Sequence, residues 1–289
     1  MKHLNNIPIE ISNEIENFIE SLRADNSAPL GFNKVPKETV FSLLENKSTV
    51  LYYPLENEEN DGFHISLPVN NTVENFVYIN TSKFVEKQIF TAAHELGHLL
   101  KIEDYLREKC NNYTEADSEN YVNRFAALFL IPTNILKTTF INRVRILLKE
   151  NEIQKKGNIF SLTELDMSRI IAYLMDFFFV PYKTIVRRLF ECNCISKESV
   201  VHLLEIEENK YPELIIKCIE EGKYEKLSKA NKKKSFGNLP EMLSLIEKKQ
   251  IFPKEKIDYL RQIFDFEPLE SSSKKDLSIN IQEDVDVLR

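Results

Sequence analysis

The chain has 289 residues, 43% hydrophobic and 29% charged, the make-up of a globular protein with room for one large or two modest domains. A formal charge of -7 disfavours broad binding to nucleic acid or to anionic membranes. Cys110, Cys192, Cys194 and Cys218 are too few and too scattered for a disulfide scaffold, and with an amino terminus that lacks the apolar run of a signal peptide they set the expectation of a reduced, cytoplasmic location.

In chain order, Ile7, Ile11, Ile15, Phe18 and Leu22 recur at helical spacing and predict an amphipathic helix. A short helix opens at Pro36, and "TVLYYPL", "GFHISLP" and "NFVYIN" read as strands of a small, largely antiparallel sheet. A helix over about 83–102 carries "FTAAHELGHLL". Another runs from Thr114, with Asp117 as a capping partner, to Pro132. Helices over 133–150, 161–179, 181–191 and 196–207 follow, the second of these opened by Ser161 and Glu164 at capping-box spacing, with "NEIQKKGN" at 151–158 as a linker. "IIAYLMDFFFVPY" is broken by Asp176 and stopped by Pro181, short of the roughly 20 residues of a membrane span, and is expected to be a buried helix. Residues 210–267 read as three helices separated by "NKKKSFGNLP" and "QIFPKEK". The last stretch is a polar tail.

The expected fold class is therefore α+β: a small antiparallel sheet with two active-site helices, then a mostly helical C-terminal part. The expected divisions are 1–158, a helix-turn-helix-like segment 159–205, a helical extension 206–268 and a flexible tail 269–289.

The chemistry centres on residues 90–100. Four residues apart on a helix, His94 and His98 lie on one face and can reach one ion, while Glu95 stands beside them, placed to take a proton from water rather than to ligate. A catalytic zinc takes three protein ligands and keeps a position for water, so a third ligand is needed. Lys101 and Asp104 stand where the metzincin pattern requires Gly and His, which excludes that class. His3, His64 and His202 lie in no segment that obviously faces the helix. On the next helix Glu119 shares a face with Val122, Asn123, Ala126 and Leu130, as a buried ligand would, and is favoured over Glu115, whose place in the first turn the helix dipole explains by itself. Gly97 and Ala126 would let the two helices approach. For the oxyanion, Tyr113, Tyr121 and His64 are all conceivable donors.

"FVYINTSKFVEKQIFTAAHELGHLL" followed by "SENYVNRFAALFLIP" resembles the ImmA/IrrE family of metallo-endopeptidases, whose members pair an A-H-E-L-G-H helix with a later E-x-x-A-N-x-F-A-x-x-L-x-x-P helix. The likeness covers about positions 60–132 and departs from the pattern at Val122, where the family has Ala. The resemblance implies a zincin-like, gluzincin-like domain over 1–158, His94, His98 and Glu119 as metal ligands, Glu95 as catalytic acid/base, and Zn²⁺, or alternatively Mn²⁺, as cofactor. It also implies a protein substrate, a helix-turn-helix transcriptional repressor whose cleavage releases silenced genes of a mobile element, phage or stress regulon. The alternatives are a binding-only antirepressor with a structural metal and the toxin of a toxin-antitoxin pair.

"ELDMSRIIAYLMDFFFVPYKTIVRRL" has the look of a helix-turn-helix with Lys183, Arg187 and Arg188 on its second helix. From Ile159 to Glu205, however, six acids stand against five bases, whereas a DNA reader is distinctly basic, so direct DNA contact is disfavoured and a structural or substrate-docking role expected. The C-x-C of Cys192 and Cys194 is expected to be incidental or buried rather than a metal site. The oligomeric state is left open by the sequence.

Overall fold

The computed structural model describes residues 7–24, 35–56, 60–69, 72–154, 162–204 and 213–264. The tail 269–289, His3 and Ser161 lie outside them. The fold is mixed α+β, in two compact units, Met1–Gly237 and Asn238–Arg289.

The first unit opens with α1 (Ile9–Ala24), which buries Ile11, Ile15 and Ile19 along one stripe. Each such side chain stabilises the fold by about 1.5–3 kcal/mol. A turn at Pro36 leads to α2 (Thr39–Glu45), then to β1 (Thr49–Tyr53), β2 (Gly62–Val69) and β3 (Thr72–Asn80). The sheet order is β2-β3-β1-β4, where β4 is Ser235–Phe236.

Two of the three pairings are antiparallel, as expected, but β1 and β3 run parallel, Val50 beside Val77 and Tyr52 beside Ile79. The cause is topological. The chain leaves β1, crosses to the far edge, descends β2 and returns up β3, which inserts between them. Asn80 fixes that crossing. Fully buried, its amide donates to the carbonyls of Leu55 (2.9 Å) and Asn60 (2.7 Å), while its Oδ1 accepts from the Leu55 N–H at 3.0 Å.

β4 comes from "NKKKSFGNLP", read from sequence as a basic connecting piece, and pairs antiparallel with β1. The chain just before it holds the start of α3 (Val85–Leu99). The Val85 N–H, one of the donors a helix start leaves unpaired, donates to the Lys229 carbonyl at 2.9 Å, and the Ser228 N–H donates to Glu86 at 3.0 Å.

α3 packs on α5 (Ser118–Leu130) and reaches it through α4 (Ile102–Lys109) and a 3-10 turn, Glu115–Asp117. Thr114 donates to Asp117 at 2.7 Å, as the sequence pairing suggests, but α5 begins only after that turn. A Cβ on Gly97 would lie 2.8 Å from the Phe125 ring and 3.0 Å from Val122, so the glycine admits those two side chains rather than Ala126.

Beyond Pro132, α6 (Thr133–Gln154) runs into the first part of the expected linker, and residues 155–161 lie outside the described ones. α7 (Glu164–Phe178) is buried along Ile170, Ile171, Leu174, Met175 and Phe178, as expected of a core helix. Its capping box is formed by Thr163 and Asp166, two residues later than the Ser161 and Glu164 expected, because both pairs satisfy the same spacing. α8 (Tyr182–Glu191), α9 (Lys197–Leu204) and α10 (Glu213–Glu221) complete the helical layer. In the second unit α11 (Leu239–Lys248) and α12 (Lys254–Ile263) pack together, burying Leu243 and Ile257, with Arg261 donating to Glu247 at 2.5 Å.

Candidate metal centre

α3 carries His94 and His98 on one face, and their Nε2 atoms lie 3.1 Å apart. Glu119, in the first turn of α5, brings Oε2 to 3.2 Å from His94 Nε2 and Oε1 to 3.6 Å from His98 Nε2. The three side chains form a group able to hold a metal ion. Tetrahedral zinc with bonds of about 2.0–2.2 Å requires ligand atoms about 3.4 Å apart, and the observed separations bracket that value. The residues fit the group in chemistry as well as in distance: two imidazoles and one carboxylate suit zinc.

The outer nitrogens of the two rings complete the pattern. His94 Nδ1 is 3.1 Å from Asn123 Oδ1, and His98 Nδ1 is 3.1 Å from both oxygens of Glu103. A ligating histidine is ordinarily held this way, its second nitrogen donating to a carbonyl or carboxylate so that the first points at the metal. Glu103 is itself held by Ser118, whose hydroxyl donates to Oε1 at 2.9 Å.

Burial pushes the pKa of His94 down, helped by the neighbouring His98 charge and opposed by Glu95 and Glu119. At His98 burial acts in the same direction, but the Glu103 hydrogen bond and charge outweigh it and raise the pKa. Glu103 is desolvated too, yet His98 and Ser118 hold it below the usual carboxylate range.

Glu95, next to His94 on α3, has its side chain 6% exposed, and its Oε2 is 3.0 Å from Nδ1 of His64, a residue of β2. The His64 ring lies 4.9 Å from that of His98, and His64, Glu95 and His98 make a second group of metal-binding type. Gly62 explains how β2 comes so close. A Cβ there would lie 2.6 Å from both the Thr91 methyl on α3 and the Tyr78 carbonyl, so only glycine lets the strand settle against the helix.

The structure thus brings together His94, Glu95, His98 and Glu119, and adds His64 from the candidates left open. Glu115 is turned away, paired with Arg107 at 2.7 Å. Tyr121 is buried beside Thr114, and Tyr113 donates to Glu115 at 3.2 Å. One expectation needs correcting: Glu119 is not buried but 71% exposed, because α5 starts at Ser118 and Glu119 stands in its first turn. The dipole argument used against Glu115 applies to Glu119 as well, and convergence on the histidines is what separates them.

Sequence reasoning missed Glu103. It follows a turn in which Lys101 takes the left-handed conformation (φ 56°), folding the start of α4 back onto His98. A glycine there would have signalled the turn, and a lysine does not.

The family model described as the IrrE N-terminal-like domain, Peptidase_M78, matches residues 46–190, half of the chain. The chain belongs to this family. No curated protein and no solved structure gives a significant match. The M78 match spans β1 to β3, α3, α5 and the helices through most of α8, so the metal group and its supports all lie inside it.

In that last part, the helix-turn-helix-like pair α7 and α8, Arg188 is 2% exposed. It donates to the Ile131 carbonyl at the end of α5 (3.2 Å) and to Thr133 (2.9 Å), and it pairs with Glu191 at 2.8 Å. Arg23 caps the same helix end by donating to the Phe129 carbonyl at 3.1 Å. Cys192 is buried and Cys194 half-buried, and among the described residues neither belongs to a metal-binding group.

Proposed function

We propose that the chain is a zinc-dependent endopeptidase that hydrolyses a peptide bond of a protein substrate in the cytoplasm. The observation that carries this reading is the convergence of His94, His98 and the Glu119 carboxylate beside a buried Glu95 that is held by His64. A structural zinc takes four closed protein ligands and has no use for such a glutamate.

A zinc ion held by His94, His98 and Glu119 would act as a Lewis acid on the scissile carbonyl and acidify the attacking water. Glu95 takes the water's proton on a carboxylate oxygen as the carbonyl is attacked and delivers it to the leaving amine nitrogen. His64, donating from Nδ1 to Glu95 Oε2, fixes one oxygen of that carboxylate and leaves the other for the proton. Asn123 and Glu103 hold the two imidazoles in the required orientation.

The proposed substrate is a helix-turn-helix transcriptional repressor. Family membership and the likeness of the two active-site helices to the ImmA/IrrE pattern support it. Manganese is the alternative metal by the same donor set. The test is incubation of the zinc-loaded protein with a purified candidate repressor and mass spectrometry of the products. One defined cut, absent with Glu95→Gln and with a chelator, is the expected result. Derepression in cells by Glu95→Gln at the wild-type level would move the reading to a binding-only antirepressor.

A further inference from the structure

Residues of α1, α5, the start of α6 and α8, with Phe90 of α3, line a half-open cavity of about 920 Å³, within the range of small-molecule sites. Its wall carries Arg124, Lys137, Lys183, Arg187 and Arg188 against two acids, Glu16 and Glu191. In a chain of formal charge -7 this is a concentrated positive region.

The arginines are recessed rather than solvated. The Arg188 side chain is 2% exposed and that of Arg124 13%. Both guanidiniums share the single carboxylate of Glu191, Arg188 at 2.8 Å and Arg124 in direct contact. Arg124 also donates to Ser12 at 3.3 Å, and Glu16 is engaged by the Thr133 hydroxyl at 2.7 Å. Among the described residues the Nε of each arginine is buried with no hydrogen-bond partner. Burial, reinforced by the Arg188 charge, pushes the pKa of Arg124 down to about 10.

We propose that this cavity binds a small molecule bearing a phosphate group. The Arg187 guanidinium and the Lys137 and Lys183 ammoniums on the wall suit a tetrahedral oxyanion, Arg124 and Arg188 add positive charge, and a doubly charged phosphate answers the excess of bases better than a single carboxylate does. Phe90 and Phe190 give the wall an apolar part for the remainder of the ligand, and the volume suits a small molecule. Asn123 lines the cavity and also holds His94 Nδ1, so an occupant sits one side chain from the proposed metal centre. The site itself does not depend on the peptidase reading.

The test is calorimetric titration of the full chain with inorganic phosphate at constant ionic strength, balanced with chloride. It is run on wild type, on His94→Ala, and on Lys183→Ala/Arg187→Ala, with folding checked by circular dichroism. Saturable binding is expected in wild type and unchanged in His94→Ala, and weaker by at least about tenfold in the double variant. If the double variant does not fold, Arg187→Ala, at an exposed position, takes its place. An adventitious, unsaturable response, binding unaffected by the cavity variants, loss in His94→Ala, or tighter binding of succinate than of phosphate would each overturn the proposal.

Discussion

The two sides of α5 handle charge in opposite ways. On the side facing α3, His94, His98 and Glu119 turn their donor atoms toward one another, and outer partners, Asn123 and Glu103, hold the imidazoles so. At its far end Arg188 and Arg23 spend their donors on the backbone carbonyls of Ile131 and Phe129, and Arg188 and Arg124 share Glu191. The first arrangement makes chemical sense when an ion joins it. The second closes the end of α5, where carbonyls lack partners, and still leaves the Nε of Arg124 and Arg188 without a hydrogen-bond partner among the described residues. Polar side chains on one helix can thus serve chemistry or architecture, and the direction of their donor atoms separates the two.

The comparison predicts that substitutions on the first side change catalysis or metal while sparing stability, and that those at the other end do the reverse. The largest effect is expected of Glu95→Gln, which should lower kcat/KM for the cleaved substrate by about 10²–10⁴-fold with metal retained. Equal activity would remove Glu95 from the chemistry. Arg188→Ala should cost about 3–5 kcal/mol of unfolding free energy in denaturant titration, since it removes the partner of Glu191 and a cap of α5 at a buried position. A loss within the surface range would show that the arginine is not structural. Glu103→Gln should weaken zinc affinity by about 10–100-fold in competition with a chelator, leaving the three ligands in place. Gly97→Ala should cost about 1–3 kcal/mol, because the new methyl meets Phe125 at 2.8 Å. It would also loosen the metal site by parting α3 from α5, an effect on both sides of the comparison.

Much of the first side was legible in the sequence. His94 and His98 need only helical periodicity to be brought together, and the face on the next helix narrows the third group to Glu119 or Glu115. The arginine end was not. The sequence places Arg188 on the second helix of a helix-turn-helix-like segment with a structural or docking role, and only the packing of α8 against the α5–α6 corner shows it buried, because which stripe of a helix faces inward depends on its neighbours. Glu103 was hidden by a left-handed turn at Lys101 that local propensity does not announce, and β4 by its length of two residues. The parallel pairing of β1 with β3 was out of reach for a related reason, since alternation marks a strand without saying which strand lies beside it.

The central claim is that His94, His98 and Glu119 together hold a metal ion. Metal content by mass spectrometry of the purified protein tests it most directly, on wild type, Glu95→Gln and Glu119→Ala side by side. The account predicts about one zinc per chain in the first two and its loss in the third. No metal in wild type under metal-replete conditions, or full zinc in Glu119→Ala, would contradict it.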